Sequence, residues 1–254
     1  MKRYWIITIA LLIATIDAFP KANIDQSFGE ANNYYKSGVY DAAIERYNGI
    51  LNSGYDSPEL FYNLGNAYYK TGNYPKAILA YERAKKLAPA DAEINFNLAL
   101  ANGKIIDKIP SIEPFFLYKW LANVRDIFSS DAWATIFIIS LFIASVAAIF
   151  RIFVPKNSRK HKALGIFATS ILIIGVANIA IGIFRLKAET ARDEAIVMIP
   201  TVELKTSLDP AAETAFSIHE GTKVQIFEFK DNYYHIKLTD GRQGWIATSE
   251  VEVV

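Results

Sequence analysis

A repeat of 34 residues constrains the fold of this chain more than any other feature of its sequence. Nine residues within the 16 positions 32–47 recur 34 positions later, within 66–81. The matching pairs are Asn32/Asn66, Tyr34/Tyr68, Tyr35/Tyr69, Lys36/Lys70, Gly38/Gly72, Tyr40/Tyr74, Ala43/Ala77, Ile44/Ile78 and Tyr47/Tyr81. A period of this length is typical of two helices joined by a turn, and Gly72 gives the backbone freedom to turn between them. The sequence therefore predicts an all-α stack of helix–turn–helix units.

The second copy resembles the tetratricopeptide repeat (TPR). The matching residues are Leu64-Gly65, Tyr68, Ala77, Tyr81, Ala84 and Pro89. We expect Gly65 and Ala77 to be small because the two helices cross there, and Pro89 to end the second helix. The first copy is weaker, with Ala31 in place of the glycine, and a third copy reaches only a first helix that starts at Asp91. Residues 24–104 are therefore predicted to form a TPR solenoid of two full repeats and a terminal helix.

This resemblance implies a groove for a peptide or a partner protein, lined by the first helix of each repeat. Two matched sets of side chains share one face of those helices, at spacings i, i+4, i+7 and i+8. The predicted protein-binding residues are Phe28, Asn32, Tyr35, Lys36, Tyr62, Asn66, Tyr69 and Lys70. The Asn and Lys residues are expected to hold a backbone amide or a carboxylate, and the Tyr rings to supply contact area. The alternative, a solvated surface with some packing between repeats, remains open.

Two long uncharged runs predict membrane-spanning helices. Residues 132–150 and 163–184 contain 19 and 22 residues without a charge. At about 1.5 Å per residue each run matches a hydrocarbon core about 30 Å thick, so we expect transmembrane helices at 131–154 and 163–186. The loop 155–162 contains Lys and Arg residues and no acidic residue, which predicts that it is cytoplasmic. The absence of charged and histidine side chains from both runs argues against ion transport.

The N-terminus predicts export. Lys2 and Arg3 precede the apolar run Trp5–Ile16, so residues 1–22 are predicted to be a signal peptide or, alternatively, an uncleaved anchor. Either reading places 24–104 and 195–254 together on the non-cytoplasmic face. We interpret that face as the periplasmic side of a bacterial inner membrane. The aromatic-rich segment 105–130 is either an interfacial helix or the last packed helix of the repeat array.

The C-terminal residues 195–254 alternate like short strands separated by turn signals. The expected strands are 195–200, 202–205, 223–229, 234–238 and 245–247. They resemble a bacterial SH3-like (SH3b) barrel, most specifically at Gly241-Arg242-Gln243-Gly244-Trp245-Ile246. That resemblance implies binding of peptides or of cell-wall material.

The composition bounds the function classes. The net charge of +1 gives no field that would favour a nucleic-acid partner, and the lack of cysteine excludes disulfides and thiolate chemistry. No nucleotide-binding loop, catalytic triad order or metalloprotease motif is present, so we expect no enzymatic activity and no cofactor. His219 and His235 are interpreted as surface residues and not as metal ligands.

The order of these segments resembles, over nearly the whole chain, the BatE family of the Bacteroides aerotolerance operon. Further matching stretches are Asn95-Phe96-Asn97-Leu98-Ala99-Leu100-Ala101-Asn102 and Ser130-Asp131-Ala132-Trp133-Ala134. The resemblance implies von Willebrand A-type membrane proteins as partners and a link to oxidative stress. The sequence thus predicts a multi-domain membrane adaptor, and the alternative is a peptidoglycan-binding tether or cell-wall sensor.

Overall fold

A computed structural model describes residues 18–110, 115–209 and 211–254, with side chains from residue 23 onward. The predicted signal segment therefore lies almost entirely outside the described residues. The chain divides into two compact units. The first, which we call the repeat–sheet unit, contains the chain up to Lys85 together with Asp91–Pro110 and Asp193–Val254. The second, the hairpin unit, contains Lys86–Ala90 and Ser111–Arg192.

Five helices form the repeat array. They are α1 (Ala18–Lys36), α2 (Tyr40–Asn52), α3 (Pro58–Lys70), α4 (Tyr74–Leu87) and α5 (Ala92–Asn102). The turns after α1 and α3 contain Gly38 and Gly72, both at φ +78°, a conformation that side chains other than glycine rarely adopt. Asp91 starts α5 by accepting hydrogen bonds from the backbone N–H groups of Glu93 and Ile94. The predicted two repeats and terminal helix are confirmed.

The helices of the second repeat cross at Gly65. A Cβ atom at this position would lie 2.6 Å from Cε1 of Tyr81, which is closer than two carbon atoms can approach. Ala77 on α4 is fully buried, and Ala31, which replaces the glycine in the first repeat, is also fully buried. The prediction that small residues mark the helix crossing is therefore correct.

The C-terminal domain is one antiparallel sheet of seven strands. They are β1 (Glu194–Val197), β2 (Thr201–Lys205), β3 (Thr214–His219), β4 (Lys223–Lys230), β5 (Tyr233–Lys237), β6 (Gln243–Ala247) and β7 (Val251–Val253), in the order β3-β2-β6-β5-β4-β1-β7. Asp231 and Asn232 have φ of 50° and 64° in the two-residue turn between β4 and β5, as a tight hairpin requires. The five predicted strands are present, and β3 and β7 are additional.

The sheet packs directly on the repeats, a contact that the sequence did not predict. Ile196 of β1 is fully buried in a cluster with Ile78, Leu79 and Leu98 of α4 and α5. Polar contacts surround this cluster: Lys223 Nζ lies 2.9 Å from Glu82 Oε2, and Arg83 Nη2 lies 3.1 Å from Glu252 Oε1. The two soluble modules are therefore parts of one unit, in which the sheet covers the outer face of the second repeat as a terminal cap does in repeat proteins.

The hairpin unit contains α6 (Phe116–Arg125), α7 (Ser130–Ile152) and α8 (Arg159–Thr190). Within the described chain, α7 and α8 are the two helices long and apolar enough to cross a membrane. A Cβ at Gly175 would lie 3.1 Å from Cβ of Ser140, and one at Gly182 would lie 3.0 Å from Cβ of Trp133. The predicted close packing through small residues is thus observed within the hairpin. On α7 the buried residues of that stripe are Ser140, Ala144 and Ala147, whereas the predicted Ala148 is exposed.

Arg185 lies at the end of the second predicted span and is almost completely buried. Its Nη2 donates to the carbonyl oxygens of Lys86 and Leu87, at 2.8 and 2.9 Å. Its Nε lies 3.0 Å from Glu189 and its Nη1 lies 3.5 Å from Asp126. The guanidinium thus joins α8 to residues that follow α6 and to the last carbonyls of α4 within this unit.

Candidate protein-binding groove

Five of the eight predicted binding residues line one cavity of about 300 Å³ on the repeat array. They are Tyr35, Tyr62, Asn66, Tyr69 and Lys70, and they are joined there by Tyr81, Asn97 and Leu100. Phe28, Asn32 and Lys36 are absent from this lining. The structure therefore concentrates the groove residues on the second repeat and its neighbours, and it does not bring the two matched sets into one site.

The repeated asparagines hold the helices together through a repeated hydrogen-bond pattern. Asn66 Oδ1 accepts from Tyr81 Oη at 2.7 Å and from Asn97 Nδ2 at 2.9 Å. In the first repeat, Asn32 Oδ1 accepts from Tyr47 Oη at 2.6 Å and from Asn63 Nδ2 at 3.1 Å. Because both bonds recur 34 residues apart, the matched asparagines already have a role in packing between helices and between repeats. That role was the alternative left open by the sequence.

The hydrogen bonds to Asn66 Oδ1 leave its amide hydrogens available. Its Nδ2 makes no hydrogen bond within the described part of the chain, and the single buried unpaired side-chain atom found there is Arg185 Nε. Asn66 Nδ2 is therefore open to solvent at the cavity wall, where it can donate to an acceptor such as a carbonyl or a carboxylate.

Phe28 and Tyr62 occupy equivalent positions and pack against the second helix of their own repeat. The ring centroids of Phe28 and Tyr47 are 5.9 Å apart, and those of Tyr62 and Tyr81 are 6.1 Å apart. Tyr62 differs because its hydroxyl accepts from Asn97 Nδ2 at 3.0 Å. Phe28 is thus a packing residue of the first repeat, whereas Tyr62 also contributes to the polar network of the groove.

The tyrosine hydroxyls of the array are held in their neutral form. Burial, with a contribution from Tyr35, raises the pKa of Tyr47 to about 12. Burial, helped by neighbouring tyrosines, raises the pKa of Tyr81 further, and burial also raises the pKa of Tyr35. Lys70 is exposed at the end of α3 and is the charged residue in the cavity lining. The groove therefore combines uncharged aromatic walls with one cation.

The sequence prediction missed three groups of this site: Tyr81, Asn97 and Leu100. A signal for Asn97 was available, because Asn63 and Asn97 are also 34 residues apart, although Asn63 lies outside the best-matched window. Leu100 lies on the third, incomplete copy and has no counterpart that could have marked it. No group of three or more His, Asp or Glu side chains that could hold a metal ion occurs among the described residues.

Comparison with known proteins assigns the class of the array. Residues 28–102 match the family model described as tetratricopeptide repeat. This class of repeat supports protein–protein interaction, so the array is a protein-interaction module. No curated protein matches the chain.

Among solved structures, the Yersinia enterocolitica type III secretion translocator chaperone SycD, in an alternative dimer, is similar to this chain. The match covers 61% of this chain and 93% of the chaperone chain, at 20% identity and a TM-score of 0.30. Because both similarity values are low, we infer nothing about this chain from that chaperone.

Proposed function

We propose that this chain is a membrane-anchored, non-enzymatic adaptor that binds a protein partner in the groove of its second repeat. The observation that carries the proposal is the cavity at Asn66, where an unpaired amide donor and the Lys70 cation stand among tyrosine rings. Tyrosine provides a large contact area at a low cost in side-chain entropy, which suits recognition of an extended peptide segment. Asn66 Nδ2 would donate to a main-chain carbonyl of the partner, and Lys70 would pair with a carboxylate.

The internal repeat supplies matched controls for this site. Asn66→Asp removes the two amide hydrogens but keeps the oxygen that accepts from Tyr81 and Asn97, so the array stays intact. Asn32→Asp makes the same change at the equivalent position outside the cavity. In the same way, Lys70→Ala removes the groove cation and Lys36→Ala removes its counterpart.

These variants test the proposal when the chain is purified from mildly solubilised membranes and the co-purifying proteins are quantified. The double variant Asn66→Asp/Lys70→Ala should lose its partner, and Asn32→Asp/Lys36→Ala should retain it. Equal retention by the two double variants would refute binding in the groove.

The proposed anchor is the hairpin α7–α8. The basic loop 155–162 would lie in the cytoplasm by the positive-inside rule, and the repeat–sheet unit would lie in the periplasm of a bacterium. Alkaline phosphatase fused after Asn23, after Asn157 and after Val254 should be active, inactive and active, respectively. Any other order would contradict this sidedness.

The physiological setting is also part of the proposal. It rests on the resemblance of the segment order to the BatE family, which suggests von Willebrand A-type membrane proteins as partners and a role in aerotolerance. Identification of the proteins lost by the Asn66→Asp/Lys70→Ala variant tests this assignment, because the proteins specific to the groove should include such a domain.

A peptidoglycan-binding tether is the alternative, and exposed aromatic residues on the sheet favour it. Phe227, Phe229 and Tyr233 are exposed around the β4–β5 hairpin, where they could stack on sugar rings. Because the sheet shares its core with α4, the test requires the full chain in detergent and not an excised domain. Retention on purified sacculi that falls on Phe227→Ser/Phe229→Ser would support the tether, whereas the adaptor proposal expects no retention by either form.

A further inference from the structure

Helix α6 has an apolar stripe along one side. Phe116, Leu117, Trp120, Leu121 and Val124 follow the spacing i, i+1, i+4, i+5 and i+8, which places them on one face of a helix. Lys119 lies on the opposite side of the same helix. This is the arrangement of an amphipathic helix, whose apolar side needs a nonpolar environment.

Nothing in the described chain covers that stripe. No residue of α6 is buried, and Phe116 and Trp120 are 71% and 58% exposed. The segment was predicted to be either the last packed helix of the array or an interfacial helix, and the absence of burial excludes the first. Soluble proteins seldom leave so many aromatic side chains together in water.

The C-terminal end of α6 is fixed to the membrane hairpin. Trp133 Nε1 of α7 donates to the carbonyl oxygen of Arg125, the last residue of α6, at 3.1 Å. Arg185 of α8 lies 3.5 Å from the carboxylate of Asp126. Because α7 begins at Ser130, shortly after α6 ends at Arg125, the exposed stripe is held close to the point where the first span starts.

We propose that α6 binds the lipid bilayer itself, lying in the headgroup region on the non-cytoplasmic face with its apolar stripe turned toward the acyl chains. Trp and Tyr side chains are enriched at this depth, and Phe and Leu are typical of the buried side of interfacial helices. The inference rests on the proposed membrane anchor, since α6 reaches the interface only if α7 and α8 cross the bilayer. The occupant is lipid and not a second protein.

Site-directed spin labelling tests this placement in the full chain, which contains no native cysteine. The protein is reconstituted into vesicles of phosphatidylethanolamine and phosphatidylglycerol, with one nitroxide at a time on Leu117→Cys, Trp120→Cys, Tyr118→Cys or Lys119→Cys. Collisions with oxygen, which dissolves in the bilayer, are compared with collisions with a water-soluble nickel chelate. Labels at Leu117 and Trp120 should favour oxygen, and labels at Tyr118 and Lys119 should favour nickel.

Two reference labels separate this inference from the anchor on which it rests. Ile139→Cys and Ile173→Cys replace exposed residues within α7 and α8, so their labels should favour oxygen strongly. If they do and all four α6 labels favour nickel, the anchor stands and the lipid-bound helix is overturned. If all four α6 labels are shielded from both reagents, a protein covers α6 and the inference is wrong. If the reference labels themselves favour nickel, the anchor and the inference fail together.

Discussion

The phenolic oxygen of Tyr81 lies 2.7 Å from Oδ1 of Asn66 and donates its hydrogen to it. The same bond joins Tyr47 to Asn32 at 2.6 Å, so each repeat closes its own helix pair in the same way. Tyr81→Phe should destabilise the protein by about 1 kcal/mol, because the Asn66 oxygen loses one of its two donors. Thermal unfolding followed by circular dichroism measures the change. Tyr69→Phe is the control, since the Tyr69 hydroxyl makes no hydrogen bond within the described residues, and an equal loss of stability there would contradict the account.

Stability at high pH should depend on the buried tyrosines. The folded pKa of Tyr47 is raised to about 12, above its unfolded value, so the folded state binds the phenolic proton more tightly. Its contribution is fully present below about pH 10, the ordinary tyrosine pKa, and is lost as the pH rises through the folded value. Denaturant titrations from pH 9 upward should show this decline, and Tyr47→Phe should make it shallower. A tyrosine absorbance titration of the folded protein in which every hydroxyl ionises near its ordinary pKa would refute the prediction.

Gly65 should tolerate no side chain. Gly65→Ala would push a Cβ to 2.6 Å from the Tyr81 ring, and overpacking of this kind costs about 1–3 kcal/mol. Gly49 in α2 has no atom within 4 Å of such a Cβ, so Gly49→Ala should leave stability unchanged or raise it by up to about 1 kcal/mol. The difference in melting temperature between the two variants is the measurement. Similar melting temperatures would show that the helices do not cross as closely as described.

Asp107 should make the repeat–sheet unit sensitive to acid. Burial would raise the pKa of this carboxyl, but hydrogen bonds from Thr222 and from the side chain and backbone of His219 outweigh burial and lower it. The resulting stability is present above the ordinary carboxyl pKa and is lost as the pH falls through the lowered folded value. Asp107→Asn should therefore destabilise the protein at neutral pH and flatten the acid limb of its stability profile. An unchanged acid limb in this variant would mean that Asp107 does not join the sheet to the repeats.

The sequence predicted those elements whose signals are local or periodic. The 34-residue spacing identified the repeats, and the uncharged runs identified α7 and α8, because each pattern repeats along the segment itself. Strand β3 was missed because its burial is irregular, with Ile218 as its only buried residue, so it shows no alternation. Strand β7 has three residues, which is too short for a pattern.

Contacts between distant segments were beyond the reach of the sequence. His219 and Asp107 are 112 residues apart, and no motif marks either of them as the partner of the other. For the same reason the shared core of Ile196 with α4 and α5 was not foreseen. The binding residues show the limit in another way: the repeat identified Asn32 and Asn66 as equivalent, whereas the structure gives only Asn66 a place in the cavity.

Photocrosslinking in intact cells tests most directly whether the groove of the second repeat holds a protein partner. A photoreactive phenylalanine derivative replaces Tyr69, which lines the cavity, or Tyr55, which is exposed in the turn between the repeats and outside the lining. The account predicts one crosslinked adduct of defined mass from position 69 and none from position 55. Adducts of equal yield at both positions, or none at position 69, would contradict it.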